Sequence, residues 1–310
     1  VYTYNLMMSK KNLSILFTGQ GSQNPEMGLD LANKFDWIKN RYEISSDILG
    51  YDVFQAQRNP KLINLTEYSQ PMIFIFSSIL IDIYRSNIIE ESPNITLAGH
   101  SLGEYCALYF AEALSFEQML ALVKSRGESM SIVSDPDKYS MYAILKKDDE
   151  KINEASLIDG VYIANINSDK QVVICGLKEK LEKFKDQSSL GKFIPLNVSA
   201  PFHSELMLES SKLFIDKNKN IKFSKVNFNL ISNHQLKNYK NIPETEFLNQ
   251  LSLQIHSPVM WSDTIKKIAE VGVNKFIEIG PKKTLLNFIP KNFDAEKIFI
   301  TDNEDINSYV

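Results

Sequence analysis

A serine stands between two glycines in the stretch "LAGHSLGEYCAL", residues 97 to 108, where an apolar run gives way to a helix-forming one. A G-x-S-x-G turn between a strand and a helix is a nucleophile elbow, which exposes the Ser101 hydroxyl and points the helix amino terminus at an oxyanion. Gly99 and Gly103 allow the strand and the helix to approach closely, and the Leu102 amide is an oxyanion donor. The pattern predicts acyl chemistry at Ser101, although so short a motif also arises by chance.

A second glycine-rich stretch, "FTGQGSQNPEMG", comes directly after the first apolar run. It has neither the Lys of a Walker loop nor the G-x-G-x-x-G spacing, so it does not indicate a phosphate site. In α/β proteins, ligand sites lie at the carboxyl ends of the parallel strands. At such an edge the Gln20 amide would face the Leu102 amide as a second oxyanion donor, and the alternative is a plain surface turn.

The elements that must position these residues are short β-rich runs alternating with longer helical segments. The alternation predicts an α/β fold, with a hydrolase-like core that has a parallel sheet and is formed by residues 1–134 and 203–310. The sequence pattern changes over residues 135–202, where four β-like runs surround the charged helix "LKEKLEKFKDQ". This segment is predicted to be a small inserted α+β domain of the ferredoxin-like type.

Composition excludes several classes of function. The chain has 310 residues, 44% of them hydrophobic, and a net charge of -4, with no long block of Lys or Arg to follow a nucleic acid backbone. Cys106 and Cys175 have no disulfide or zinc spacing, so we expect no metal site and a reduced, cytoplasmic location. The apolar run at residues 71–84 contains Asp82 and is short for a bilayer, so it predicts a buried helix and no membrane partner.

Five motifs carry a resemblance to a known family. The segment from residue 13 to about 290 resembles the malonyl-CoA:acyl carrier protein transacylases, and the joint match is more specific than any one motif. The motifs, in chain order, are "GQGSQ", "GHSLGEY", "SRGESM", "SAPFHS" and "QIHSPVMW". Longer stretches, such as "GHSLGEYCALYFAEALSFE" and "IANINSDKQVVICG", are most similar to the freestanding acyltransferases that serve polyketide synthases in trans.

The resemblance implies a set of catalytic roles. It makes Ser101 the nucleophile that forms the acyl-enzyme and His203 the general base and then the acid. It assigns the oxyanion hole to Gln20 and Leu102. No Asp or Glu stands in a motif that matches the third position of a triad, and the family uses there a backbone carbonyl that maps onto Gln254. The alternative is that Gln254 merely ends a helix.

The resemblance also implies a binding site for a carboxylated acyl group. Arg126 would clamp the free carboxylate with two hydrogen bonds, where the alternative is a solvated helix arginine. His100 would assist that binding, and Phe202 resembles the residue of malonyl-selective members. His234 and His256 are interpreted as structural or surface residues.

The implied activity is transfer of a malonyl group from malonyl-CoA, through a seryl acyl-enzyme, to the phosphopantetheine thiol of an acyl carrier protein. The enzyme would need no cofactor and act as a monomer, in polyketide biosynthesis. Three alternatives stay open: a transacylase of fatty-acid synthesis, a hydrolase that clears stalled carrier proteins, and a docking module without catalysis. Arg126 counts against the hydrolase, and the intact motif residues count against the docking module.

Overall fold

The computed structural model describes residues 12–92, 94–147 and 159–301. The strands are β1 (Asn12–Phe17), β2 (Asn94–Gly99), β3 (Tyr139–Lys146), β4 (Val161–Ser168), β5 (Gln171–Leu177), β6 (Gly191–Pro195), β7 (Asn229–Ile231), β8 (Lys275–Ile279) and β9 (Glu296–Ile300). The helices are α1 (Leu29–Lys34), α2 (Asp36–Leu49), α3 (Val53–Arg58), α4 (Thr66–Glu91), α5 (Gly103–Phe110), α6 (Phe116–Ser131), α7 (Lys178–Gln187), α8 (Leu208–Asn218), α9 (Phe247–Ile255) and α10 (Trp261–Glu270).

The larger sheet has five parallel strands in the order β7-β2-β1-β8-β9. Phe17, the last residue of β1, pairs with Gly99 on one side and with Ile279 on the other, so the carboxyl ends of three strands lie side by side. The loops that follow these strands therefore meet at one edge of the sheet. The predicted α/β fold with a parallel sheet is confirmed.

Helix α4 has 26 residues and lies in the core between other helices. The helix is longer than the apolar run at residues 71–84, and by length and composition alone it could cross a membrane. Its apolar side chains are instead packed inside the protein, against α5 and α6 among others. In the most apolar 18-residue stretch of the helix, 67% is buried. A helix that is apolar on nearly all sides belongs in a core. The buried helix predicted at residues 71–84 is confirmed.

The turn between β2 and α5 requires glycine at residues 99 and 103. A Cβ atom added to Gly99 would lie 1.9 Å from the carbonyl carbon of Gly103, and one added to Gly103 would lie 2.0 Å from the carbonyl oxygen of Phe17. Both clashes are with backbone atoms, which cannot rotate away. The two glycines therefore fix the first turn of α5 against the ends of β1 and β2.

The smaller sheet has four antiparallel strands in the order β4-β5-β3-β6, with α7 packed on it. Tyr142, Ile174 and Phe184 belong to a separate buried cluster between this sheet and α7. The strands and the helix fall where the sequence places the α+β segment, and the connection between β3 and β4 includes residues 148–158, which lie outside the described residues. The division into two domains at residues 135 and 202 stays a prediction.

The two sheets are joined through the segment that leads into α10. The Ile166 amide donates to the Val259 carbonyl and the Val259 amide donates to the Ala164 carbonyl, each at 2.9 Å. On its other side, the Met260 amide donates to the Asn233 carbonyl at 2.8 Å. This connection holds β4 beside the carboxyl edge of the parallel sheet.

Candidate active site

Ser101 occupies the turn between β2 and α5 in a strained conformation. Its φ of 53° lies in the left-handed region, which a non-glycine residue keeps only when its surroundings hold it there. The Asn233 side chain, from the loop after β7, binds the backbone of this turn at two places. The Ser101 amide donates to Asn233 Oδ1 at 2.6 Å, and Asn233 Nδ2 donates to the Gly99 carbonyl at 2.5 Å. The strained turn is thus braced from a neighbouring strand.

His203 faces the serine hydroxyl. Its Nε2 atom lies 2.8 Å from Ser101 Oγ and its Nδ1 atom lies 2.7 Å from the Gln254 carbonyl oxygen. A carbonyl only accepts, so Nδ1 carries the proton and the neutral ring presents Nε2 as an acceptor to the hydroxyl. Burial, with the positive charge of Arg126 as the second cause, lowers the pKa of His203 to about 3. The imidazole is therefore neutral near neutral pH and able to take a proton.

The Gln254 carbonyl is free to hold His203 because of where α9 ends. The last four carbonyls of a helix have no intrahelical partner, and four residues after Gln254 comes Pro258, which has no N–H. The His203 amide also donates to the neighbouring Ile255 carbonyl at 3.2 Å. The end of α9 thus holds the His203 ring in the way that an aspartate does in a Ser-His-Asp triad.

Arg126, on α6, lies against the serine and is 1% exposed. Its Nη2 atom donates to Ser101 Oγ at 3.0 Å and to Gln254 Oε1 at 2.7 Å, and its Nη1 atom donates to Gln70 Oε1 at 2.6 Å. The next residue, Gly127, lets α6 approach α4, since a Cβ atom there would lie 3.0 Å from the Glu67 Cα atom.

The partners of this guanidinium are all neutral oxygens. Among the described residues, no Asp or Glu oxygen lies within ion-pair distance of Arg126. The Nε atom of Arg126 is buried and has no hydrogen-bond partner among the described residues. Burial lowers the pKa of the group, which shows how costly its charge is in this position. The arrangement suits the binding of an anion beside Ser101 Oγ.

Two backbone amides lie near the serine without an acceptor. Over residues 12–92, 94–147 and 159–301, neither the Gln20 amide nor the Leu102 amide donates a hydrogen bond. The loops that carry them are adjacent, because the His100 amide donates to the Phe17 carbonyl at 3.0 Å. The Gln20 side chain holds its loop to the start of α4 through a 3.2 Å hydrogen bond to Thr66 Oγ1. The two amides fit an oxyanion hole.

The ring of His100 makes its hydrogen bond to the smaller sheet and not to the serine hydroxyl. Its Nε2 atom lies 2.9 Å from Asn167 Oδ1 on β4, and its ring packs against Trp261 at 5.4 Å between centroids. Asn167 in turn donates to Gln171 Oε1 at 2.8 Å. Burial lowers the pKa of His100, so the ring is neutral near neutral pH. His100 links the parallel sheet to the smaller sheet.

The remaining predicted residues take simpler positions. Phe202, directly before His203, is 5% exposed and packs in the main core. His234 Nδ1 lies 3.3 Å from the Pro258 carbonyl, and the half-buried His256 binds a backbone carbonyl of its own helix. Neither of these two histidines contacts Ser101.

Three contributors to this site have no role in the sequence analysis: Gln70, Asn233 and the side chain of Gln254. Each is a buried polar side chain. Gln70 and Gln254 stand beside apolar residues in the sequence, which is a weak signal for them, whereas Asn233 lies among polar neighbours and has no such signal. Asn233 also follows a short strand whose carboxyl end lies at the same edge as Ser101. In the described part of the chain, no three His, Cys, Asp or Glu side chains cluster as a metal site would require.

Comparison with known proteins places the chain in a family. Residues 15–308 match the acyl transferase domain family. A malonyl CoA-acyl carrier protein transacylase of Haemophilus influenzae is 32% identical over 309 residues, covering 96% of this chain and 98% of the relative. The polyketide biosynthesis malonyl CoA-acyl carrier protein transacylase PksC of Bacillus subtilis is 35% identical over 297 residues, covering 92% and 98%.

A solved structure gives the same result for the fold. It is a malonyl-transacylase in complex with a type II polyketide synthase acyl-carrier protein, and it superimposes with a TM-score of 0.87 at 29% identity, covering 96% of this chain and 98% of that one. The family match spans nearly the whole chain, and it includes the elbow, the histidine and the arginine described above. The chain belongs to the acyl transferase domain family.

Proposed function

We propose that this protein transfers a malonyl group from malonyl-CoA, through an ester on Ser101, to the phosphopantetheine thiol of an acyl carrier protein. The observation that carries the proposal is Arg126: a buried guanidinium, 3.0 Å from Ser101 Oγ, whose hydrogen-bond partners are neutral oxygens. The names of the relatives from Haemophilus influenzae and Bacillus subtilis support the same reaction.

Acylation begins with the hydroxyl of Ser101. As Oγ attacks the thioester carbonyl, its proton passes to His203 Nε2, and the new oxyanion is held by the Gln20 and Leu102 amides. When the tetrahedral intermediate collapses, the carbon–sulfur bond breaks and His203 gives its proton to the CoA sulfur. CoA leaves as the thiol and the malonyl group stays on Ser101. The Gln254 carbonyl stabilises the charged imidazole during this step.

Transfer to the carrier reverses these steps. The phosphopantetheine thiol gives its proton to His203 Nε2, and the sulfur attacks the ester carbonyl in the same oxyanion hole. The carbon–oxygen bond of the ester then breaks, and His203 returns the proton to Ser101 Oγ. The malonyl thioester leaves on the carrier, and the enzyme is restored without any other reactant.

Selection of a carboxylated acyl group follows from the guanidinium. A carboxylate that replaces Ser101 Oγ as a partner of Arg126 would gain two charge-assisted hydrogen bonds in a site shielded from water. A neutral acetyl group offers nothing to that charge. We assign supporting contacts in the acyl site to His100 and Phe202.

The pathway is assigned to polyketide biosynthesis. The polyketide relative from Bacillus subtilis supports it, while relatives named only as transacylases keep fatty-acid synthesis as the alternative. A comparison of kcat/KM with a polyketide carrier protein and a fatty-acid carrier protein separates the two. It stays a prediction that the enzyme is monomeric and cytoplasmic and that it binds neither membrane nor nucleic acid. The absence of a cofactor is also a prediction.

The acyl-enzyme can be observed directly by mass spectrometry of the intact protein. Mixed with malonyl-CoA alone, the wild-type protein should gain one malonyl group, and an added holo carrier protein should take it over. Ser101→Ala should gain none, because Ser101 Oγ is the hydroxyl that lies within hydrogen-bond distance of His203 Nε2 in the described part of the chain. Labelling of Ser101→Ala at the wild-type level would refute the nucleophile, and loss of the adduct to water in place of the carrier would favour a hydrolase.

Arg126 should determine the preference for malonyl over acetyl groups. Removing one partner of a buried charge pair costs about 2–5 kcal/mol, so Arg126→Ala should lower kcat/KM for malonyl-CoA by roughly 30- to several-thousand-fold. The constant for acetyl-CoA should change far less, and Arg126→Lys should restore only part of the preference because ammonium is not bidentate. An unchanged malonyl-to-acetyl ratio in folded Arg126→Ala would move the carboxylate site elsewhere.

The pH dependence of acylation should lack the step of an ordinary histidine. Since burial and Arg126 lower the pKa of His203 to about 3, the base stays neutral and the acylation rate of folded enzyme should be level from about pH 8 down to about pH 5. Unfolded chains bind a proton at His203 below about pH 6.5, so acid lowers stability and rates must be normalised to folded protein. A half-maximal rate near pH 6.5 would contradict a buried, neutral base.

A further inference from the structure

Glu104 is a buried carboxyl group directly beneath the nucleophile. It lies on the first turn of α5, three residues after Ser101, and its exposed fraction is 0%. Its Oε2 atom accepts hydrogen bonds from the Asn233 amide at 3.1 Å and from Gln254 Nε2 at 2.6 Å. Its Oε1 atom accepts one from the Tyr239 hydroxyl at 2.5 Å. Four separate segments of the chain meet at this one side chain.

Two of these partners hold the catalytic residues. The Asn233 side chain binds the Ser101 amide and so maintains the strained turn. The Gln254 side chain donates from Nε2 to the Ser101 carbonyl at 2.9 Å and accepts from Arg126 at Oε1, while its backbone carbonyl holds His203. A shift of Gln254 would therefore move the base and the guanidinium together.

We propose that Glu104 is a positioning residue for acyl transfer, which aligns Ser101, His203 and Arg126 through Asn233 and Gln254 without touching the substrate. The proposal deepens the acyl transfer described above and rests on it for the role of Arg126. In this role the length of the Glu104 side chain matters, because its two oxygens must lie within hydrogen-bond distance of three donors on three other segments.

The negative charge is not what this role needs. Burial raises the pKa of Glu104 to about 7 in spite of the three donors, so the group is partly protonated near neutral pH. A protonated carboxyl has one O–H donor on one oxygen and a free acceptor on the other, which the amide of Gln resembles, with a nitrogen donor and an oxygen acceptor. In Glu104→Gln, the amide oxygen can still accept from Asn233 and Gln254, and the amide nitrogen can donate to the Tyr239 oxygen. In Glu104→Asp, the charge remains but the side chain is one methylene too short.

The decisive experiment measures how fast Ser101 reacts with phenylmethanesulfonyl fluoride, followed by intact mass, in wild type, Glu104→Gln and Glu104→Asp. This reagent needs the aligned serine and histidine but neither a malonyl group nor a carrier. Glu104→Gln should react within about 3-fold of the wild-type rate. Glu104→Asp should react about 10- to 100-fold more slowly, because misplacement by about 1 Å costs that much.

A matched control separates positioning from general stability. Glu278 is also buried, and it accepts hydrogen bonds from the backbone amides of Thr284, Leu285 and Leu286, away from Ser101. Glu278→Asp should lower the melting temperature but leave the labelling rate of folded protein unchanged. A Glu104→Asp protein that is folded and labels at the wild-type rate would overturn the proposal.

A second outcome would also overturn it. If Glu104→Gln labels as slowly as Glu104→Asp, or more slowly, the reach of the side chain is not sufficient and the negative charge of Glu104 is required. The result is independent of the substrate: a wild-type protein that labels with the sulfonyl fluoride but takes no malonyl group would refute the proposed function alone.

Discussion

The site is organised around one buried positive charge. Arg126 is almost wholly enclosed, and an isolated cation in such a place is costly unless hydrogen bonds and nearby negative charge compensate it. Here Gln70 and Gln254 supply neutral oxygens, and Glu104 lies beyond the amide of Gln254. Hydrogen bonds to these neutral oxygens stabilise the cation, and Glu104 acts by holding the Gln254 amide, so that among the described residues Arg126 has no anionic partner within ion-pair distance. A carboxylate brought by a substrate can take that place.

The fold makes this arrangement possible by bringing distant segments to one edge of the parallel sheet. The loops after β1, β2 and β7 carry Gln20, Ser101 and Asn233, and the end of α9 brings Gln254 across them. The Gln20 and Leu102 amides, which we propose as the oxyanion hole, lie at turns and have no backbone acceptor among the described residues. The carbonyl that orients His203 is a helix-end group left free before a proline. The proposed catalytic groups thus include several backbone atoms that the secondary structure leaves without a partner.

The sequence predicted the local features well. The parallel sheet, the strands and helix of the α+β segment, the buried helix at α4 and the elbow at Ser101 each depend on short-range patterns of apolar residues and glycines, which are readable without coordinates. The positions of His203 and Arg126 came from resemblance to a family, since no local pattern relates residues 25 or 102 positions away from Ser101. The structure brings both within hydrogen-bond distance of Ser101 Oγ.

The supporting network could not be predicted in the same way. Asn233 and Gln70 act through contacts between segments far apart in the chain, and nothing near them in sequence specifies those contacts. Glu104 lies within a recognised motif, yet its importance is visible only when its three donors are seen together. Side chains that connect segments are set by tertiary packing, and their sequence signal is only that a polar residue is buried.

The central claim, that Arg126 is kept available for a substrate carboxylate, is tested most directly by the crystal structure of the acyl-enzyme formed with malonyl-CoA. The account predicts the malonyl carboxylate within hydrogen-bond distance of the Arg126 guanidinium, which has released Ser101 Oγ. It also predicts the ester carbonyl facing the Gln20 and Leu102 amides. A malonyl carboxylate bound at His100 or exposed to solvent, with the Arg126 contacts unchanged, would contradict it.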